Sequence, residues 1–270
     1  MARPIVFLSD YGLEDEYAGV CRGVMAGIAP DAPVVDLTHA VPAHDVLRGA
    51  LVLAASARFM PERAVFLAVV DPGVGAVRRA LAVETASGAT LVGPDNGLLA
   101  PAWEELGGAA RAVEITSERV LLHPVSPTCH GRDVFAPAAA HVANGMPLDE
   151  LGPDVPVDDL ARLWIPEPVA TGGGLRCAVL AVDRFGNVQL AASAGDLEAA
   201  GLGEAPALRV STAERTLDVP CIRTFADLEQ GQVGLAVDSA GFLALVVNLG
   251  SAAFELGLEA GDEVLLSPST

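Results

Sequence analysis

"AVFLAVVDPGVGAVRRALAVE", residues 64–84, is the stretch on which the fold turns. Its first seven residues are apolar without a break, the pattern of a strand covered on both faces rather than on one. Asp71, Pro72, Gly73 and Gly75 then stop the run. A second apolar segment, "ALAVE", starts after the pair Arg78 and Arg79. Asp-Pro-Gly is ordinary turn chemistry. An acid at the carboxyl end of a strand in an open α/β sheet is also where such sheets bind ligands. Taken alone, Asp71 leaves both readings open.

The alternation continues outward from this stretch. "PIVFLS" (4–9) and "PVVDL" (33–37) read as strands, with helical spacing over 14–29 and 43–59. "AVFLAVV" (64–70) is a third strand, and "ALAVE" (80–84) and "ATLVG" (89–93) are shorter ones. Gly19, Gly23 and Gly27 form a small-residue stripe on the first helix, expected to pack closely on a sheet. "GRDVFAPAAAHVANG" (131–145) is helical in pattern, with Pro137 in its first turns or at a kink. The fold class that follows is α/β, a mainly parallel sheet flanked by helices, for an N-terminal domain over residues 1–163. "IPEPVATGGG" (165–174) has the composition of a linker. Beyond it, seven short β segments separated by turn residues predict a small barrel or sandwich as a C-terminal domain over 174–270.

Composition narrows the function classes. Of 270 residues, 51% are hydrophobic and 19% charged, which argues against disorder. No apolar run reaches the ~18–20 residues of a membrane span, and the opening residues lack the pattern of a secretory leader. A cytoplasmic protein with no membrane partner is expected. Net charge is −19, so no nucleic-acid partner is expected, since that affinity comes from cations on phosphates. All 16 basic residues are arginine, which removes Schiff-base, Walker-A and kinase-type lysine chemistry. The four cysteines are scattered with no Cys-x-x-Cys and read as reduced thiols.

Four clusters fall where a sheet of this type would bind: Asp10 in "SDYG", Asp71 in "DPGVG", Asp95-Asn96-Gly97 in "PDNG", and His130-Gly131-Arg132-Asp133 ahead of the 131–145 helix. Each has a plain structural reading, as a helix N-cap, a turn, or a histidine bonded at a helix start. Several at one sheet edge point to a site. His39 and His44 share a loop and serve either as cleft lining or as caps, while His123 and His141 read as structural. No His, Asp or Glu set has metal-ligand spacing, so no metal is expected.

The motifs "SDYG" with Asp15 downstream, "VVDPGVG", "PDNGLL", "PTCHGRDVFAPAAAH" and "VDRFGNVQL" together resemble the S-adenosyl-L-methionine (SAM) hydroxide adenosyltransferases, from about residue 4 to about 267. That family is related to SAM-dependent fluorinases and chlorinases. The resemblance implies an N-terminal α/β domain and a smaller C-terminal β-barrel. It implies hydrolysis of SAM to adenosine and methionine, with SAM as substrate and no cofactor, and a homotrimer whose active sites lie between subunits. Position by position it implies a catalytic set of Asp71, Arg78 and His130. It assigns Asp10 to the ribose diol, with Asp15 and Asn96 as further substrate contacts. Asp183 falls near the methionine amino group, Phe185 and Asn187 at the adenine, Ser251 and Ala253 in the segment that meets adenine through its backbone, and Ser239 near the methionine carboxylate. The halogenating relatives have an arginine beside that serine, where this chain has Ala240. They also carry a neutral aromatic residue in place of Asp71 and lack the "HGRD" histidine. A halogenase and a non-catalytic SAM or adenosine binder are therefore the alternatives. A calcium-dependent nucleoside hydrolase is a further rival through "SDYGLEDE", but Leu8 stands where that motif needs its first acid.

Overall fold

Odd and even residues of the buried strands enter different cores. In the computed structural model, which describes residues 2–269, strand β1 (Ile5–Ser9) sends Ile5 and Phe7 to one apolar cluster and Val6 and Leu8 to another. This is the period of two that a strand imposes on its side chains. Each fully buried Leu or Phe contributes about 1.5–3 kcal/mol through removal of its surface from water. The chain divides into two compact units between Leu163 and Trp164.

In the first unit β1 is followed by α1 (Tyr17–Ile28), β2 (Val34–Thr38), α2 (Val46–Ala57), β3 (Val65–Val69), β4 (Ala80–Thr85), β5 (Thr90–Pro94), α3 (Ala100–Glu105) and β6 (Ala109–Glu114). A single π-helical turn, Gly131–Phe135, then leads into α4 (Ala136–Ala143), and β7 (Asp154–Val155) closes the unit. The sheet order is β2-β1-β3-β5-β4-β6-β7. Its first four strands are parallel, and β4, β6 and β7 extend it antiparallel. Residues of α1 and α4 fill one face, those of α2 and α3 the other.

Two local expectations are corrected. Helix α1 starts at Tyr17 rather than at residue 14, and Gly19, Gly23 and Gly27 are exposed with open space where a Cβ would stand. The helix buries Ala18, Cys21 and Met25 instead, because these bulkier apolar residues form the neighbouring stripe with more surface to remove from water. The helix read over 131–145 begins as the π turn, in which Ala136 N–H bonds the Gly131 carbonyl. Pro137 cannot donate to the carbonyl of Asp133, and the Leu122 N–H takes that acceptor at 2.9 Å.

The second unit comprises β8 (Val169–Thr171), β9 (Gly174–Val182), β10 (Val188–Ser193), α5 (Ala194–Ala199), β11 (Ala207–Ser211), β12 (Thr216–Pro220), β13 (Val233–Val237), β14 (Phe242–Val247), α6 (Ala252–Leu256) and β15 (Glu263–Pro268). The order β12-β11-β15-β9-β10-β14-β13 is antiparallel throughout. Its two outer strands nearly meet, with the Ile222 N–H donating to the Leu235 carbonyl at 2.8 Å. The result is a barrel-like sheet filled by Leu190, Leu208, Val219, Leu245 and Leu266. The expected linker is partly barrel. Val169–Thr171 pairs with β9 and Gly172-Gly173 makes the turn, so the glycines close a hairpin rather than space two domains. No helix among the described residues is long and apolar enough to cross a membrane.

Candidate active site

Strand parity aims the central acid. Val65, Leu67 and Val69 of β3 face the α1/α4 side of the sheet, so the next odd position, Asp71, leaves the strand on that side. There the π turn begins at Gly131, directly after His130. The loop after Asp71 doubles back through bonds from Val74 N–H to the Asp71 carbonyl and from Ala76 N–H to the Gly73 carbonyl. Gly75 has φ +77°, and a Cβ on it would meet the Pro127 carbonyl oxygen at 2.6 Å. Only glycine lets this loop lie against the segment that leads to His130.

The turn brings Arg78 onto Asp71. Arg78 Nη2 donates to Asp71 Oδ2 at 2.5 Å, and Nε lies 3.2 Å from both carboxylate oxygens. The side chains are 10% and 5% exposed. Arg78 Nη2 also lies 2.8 Å from His130 Nδ1. Arginine only donates, so Nδ1 carries the lone pair and the imidazole is neutral with its proton on Nε2. Burial, then the Arg78 charge, holds the His130 pKa below the ordinary histidine value, against an opposite pull from Asp71 and Asp133. The guanidinium also stacks over Phe135, 5.1 Å from the ring centre.

A cavity of about 240 Å³ opens on this set, lined by Asp10, Tyr11, His44, Asp71, Cys129 and His130 among others. Asp10 Oδ2 accepts the His44 N–H at 2.9 Å, and among the described residues no donor is seen on Oδ1. His44 thus lines the cleft, while His39 is buried against Ser9, its Nδ1 2.8 Å from the Ser9 hydroxyl. Tyr11 was not singled out by the sequence. A Cβ on Gly131 would fall 1.8 Å from its hydroxyl, so the "SDYG" and "HGRD" motifs interlock. Burial first, then Cys21, Cys129, Asp10 and Asp71, pushes the Tyr11 pKa far up, so the phenol stays protonated. Asp133 organises the approach to His130: its Oδ2 accepts the Ser126 N–H at 2.8 Å, and Arg132 Nε reaches Oδ1 at 2.6 Å. Burial opposes ionisation of Asp133, but these hydrogen bonds prevail and lower its pKa.

Asp15 lies in the exposed bend before α1, and neither it nor Asn96 lines the cavity. Asn96 Nδ2 donates to the Val70 carbonyl at 2.9 Å. Arg79 pairs with Asp95 at 2.7 Å, a contact with no periodic signal in the sequence.

In the second unit Asp183 Oδ1 accepts the N–H groups of Phe185 and Asn187 at 2.8 and 2.9 Å, and Oδ2 accepts Asn187 Nδ2 at 2.8 Å. This Asx-type loop leaves the Phe185 ring 76% exposed. Ala253 N–H bonds the Gly186 carbonyl at 3.0 Å, and Ser251 caps α6 through the Phe254 N–H at 3.1 Å. Asp183, Phe185, Asn187, Ser251 and Ala253 are therefore one connected cluster. Ser239 lies in the β13–β14 turn. Among the described residues no group of three or more His, Cys, Asp or Glu could hold a metal ion.

The model of the SAM hydroxide adenosyltransferase N-terminal domain matches residues 5–152, and that of the C-terminal domain matches residues 177–265. A protein of Salinispora tropica named (R)-S-adenosyl-L-methionine hydrolase is 47% identical over 96% of each chain. A fluorinase of an Actinoplanes species is 33% identical over 95% of each. The crystal structure of an uncharacterized conserved protein from Thermotoga maritima superposes with a TM-score of 0.90 at 34% identity, over 97% of this chain and 99% of that one.

Proposed function

The chain belongs to the SAM hydroxide adenosyltransferase family, and from that membership we propose that it hydrolyses S-adenosyl-L-methionine to adenosine and L-methionine. The observation that carries this reading is the part-buried, hydrogen-bonded Asp71–Arg78–His130 set, of which Asp71 and His130 line a cavity that Asp10 shares.

The sulfonium leaves as a neutral thioether, so no acid is needed at the leaving group. Catalytic effort goes to the water, whose pKa of about 15.7 in bulk makes it a poor nucleophile. Arg78 holds the Asp71 carboxylate in a fixed direction, and Asp71 accepts the water proton as the oxygen attacks ribose C5′. The neutral His130 presents Nε2–H to the same water and fixes its orientation. The C5′–S bond breaks with both electrons passing to sulfur, and the proton on Asp71 is then released to solvent. Asp10 accepts the ribose hydroxyls through Oδ1. Phe185 stacks on adenine and Asn187 hydrogen-bonds it, with Ser251 and Ala253 beside it. Asp183 serves the methionine amino group and Ser239 its carboxylate. Asp15 and Asn96 complete the set from outside the cavity lining.

The same reading has a cytoplasmic enzyme that needs no added cofactor or metal and has no nucleic-acid partner. It acts as a homotrimer in which the first unit of one copy and the second unit of another supply the two ends of the substrate site. The Asp71 carboxylate, 5% exposed, disfavours the halogenase alternative, because a halide beside a buried anion is repelled. The name of the Salinispora relative supports the R configuration at sulfur for the substrate.

Turnover of SAM in oxygen-18 water, followed by mass spectrometry, tests the reaction. One labelled oxygen is expected at C5′ of adenosine, with an equal amount of methionine. Tight SAM binding without adenosine would identify the non-catalytic binder instead.

A further inference from the structure

We propose that Asp95 and Asn96 form a clamp that positions the Asp71–Arg78 pair, and that Asp95 decides which of two adjacent arginines enters the site. The inference rests on the function proposed above. Arg78 and Arg79 are consecutive in the segment entering β4, where neighbouring side chains point to opposite faces. A slip of one residue would exchange them. Asp95 removes that freedom. Its Oδ2 accepts Arg79 Nε at 2.7 Å, its Oδ1 accepts the Ala161 N–H at 2.8 Å, and its own N–H donates to the Arg79 carbonyl at 3.0 Å. Arg79 Nη2 also reaches the Asp159 carbonyl at 2.5 Å. Arg79 is thereby held by backbone and side chain together.

Asn96 does the same at the other end of the loop. Its Nδ2 donates to the carbonyl of Val70, the residue before Asp71, and its Oδ1 accepts the Leu98 N–H at 3.1 Å. One dipeptide thus grips the residue before the catalytic acid and the residue after the catalytic arginine. The Asp95 side chain is 7% exposed. Removing its charge leaves the Arg79 guanidinium without its carboxylate and free to compete with Arg78 for Asp71.

The test is Asp95→Asn, alone and combined with Arg79→Gln. For Asp95→Asn a kcat loss of about tenfold to hundredfold is expected, the cost of a small misplacement, with SAM affinity unchanged. The double variant, which has no spare guanidinium, recovers most of that loss. Asp95→Glu retains activity. The ring titration of His130, followed by NMR, gives a readout without turnover. His130 faces Arg78, Asp71 and Asp133. Withdrawal of Arg78 in Asp95→Asn moves the titration up towards the ordinary histidine value, and the double variant returns it. Asn96→Asp, which sets a carboxylate oxygen against the Val70 carbonyl, lowers kcat at saturating SAM and serves if Asp95→Asn does not fold. An unchanged kcat and unchanged His130 titration in Asp95→Asn overturn the clamp, as does a double variant no better than the single one. If the unaltered protein makes no adenosine, the proposed function fails while the NMR comparison still decides the clamp.

Discussion

The two units hold their candidate site residues in opposite states. In the first, Arg78 joins Asp71 and His130 by a bond to each, and Asp10 is pinned by a backbone N–H before any ligand arrives. In the second, the backbone of the 183–187 loop is fixed by Asp183, yet the Phe185 ring and the Phe254 ring, 85% exposed, touch little. The difference matches what each must do. A nucleophile has to be aimed before reaction, and every degree of freedom removed in advance lowers the barrier. A stacking face needs only to be present, and its apolar surface is covered when an aromatic ligand arrives. The pinned Asp71–Arg78–His130 set should therefore govern rate, and the exposed stacking face of the second unit should act on affinity.

The sharpest way to break that division is Asp71→Asn. The substitution keeps the shape but removes the charge that accepts the water proton. Turnover should fall by about a hundredfold or more, within the range ascribed to a positioned base. SAM affinity by calorimetry should hold, since in the proposed mechanism Asp71 acts on the water. A variant that keeps its turnover, or one that loses affinity in step with rate, would make the first unit a binding surface and remove the contrast.

Phe185→Ala probes the opposite side with a smaller effect. Stacking of a base on an aromatic ring contributes about 1–3 kcal/mol, so KM should rise roughly tenfold while kcat stays constant. The melting temperature should not move, because the ring contributes little to the barrel core. A fall in kcat at saturating SAM would show that the exposed ring also orients the reacting carbon.

Much of this arrangement is legible in the residues. Uninterrupted apolar runs mark β1 and β3 because strands covered on both faces must be apolar at every position. The acids follow those runs, so Asp10 and Asp71 can be placed at one sheet edge before any coordinates. What fails is whatever depends on a contact distant in sequence. The glycine stripe on α1 has the right spacing for close packing, but spacing cannot say which of two adjacent stripes faces the sheet. The three-glycine run looks like a flexible tether, and only its pairing with β9 reveals a hairpin. The motif reads Asn96 as a substrate contact, and nothing in it signals the bond that its amide makes to the Val70 carbonyl. Tyr11 escapes notice because its role lies in meeting Gly131, 120 residues away.

Acid sensitivity offers the finest and smallest difference between the units. All five histidines precede residue 142, so none lies in the second unit. Burial, reinforced by Arg78, lowers the pKa of His130, and burial lowers that of His141. In the unfolded chain both return to about 6.5. Between the lowered values and about 6.5 the unfolded state binds more protons than the folded one, so stability falls as pH drops through that window and levels off beneath it. Asp133, shifted down instead, loses its contribution only in stronger acid. Amide hydrogen exchange, corrected for its intrinsic pH dependence, should show first-unit amides losing protection as pH falls through about 6.5, with second-unit amides unchanged. His130→Gln combined with His141→Gln should flatten the first unit's response. Equal loss of protection in both units would mean that they open together, and the separation of roles would then lack a counterpart in stability.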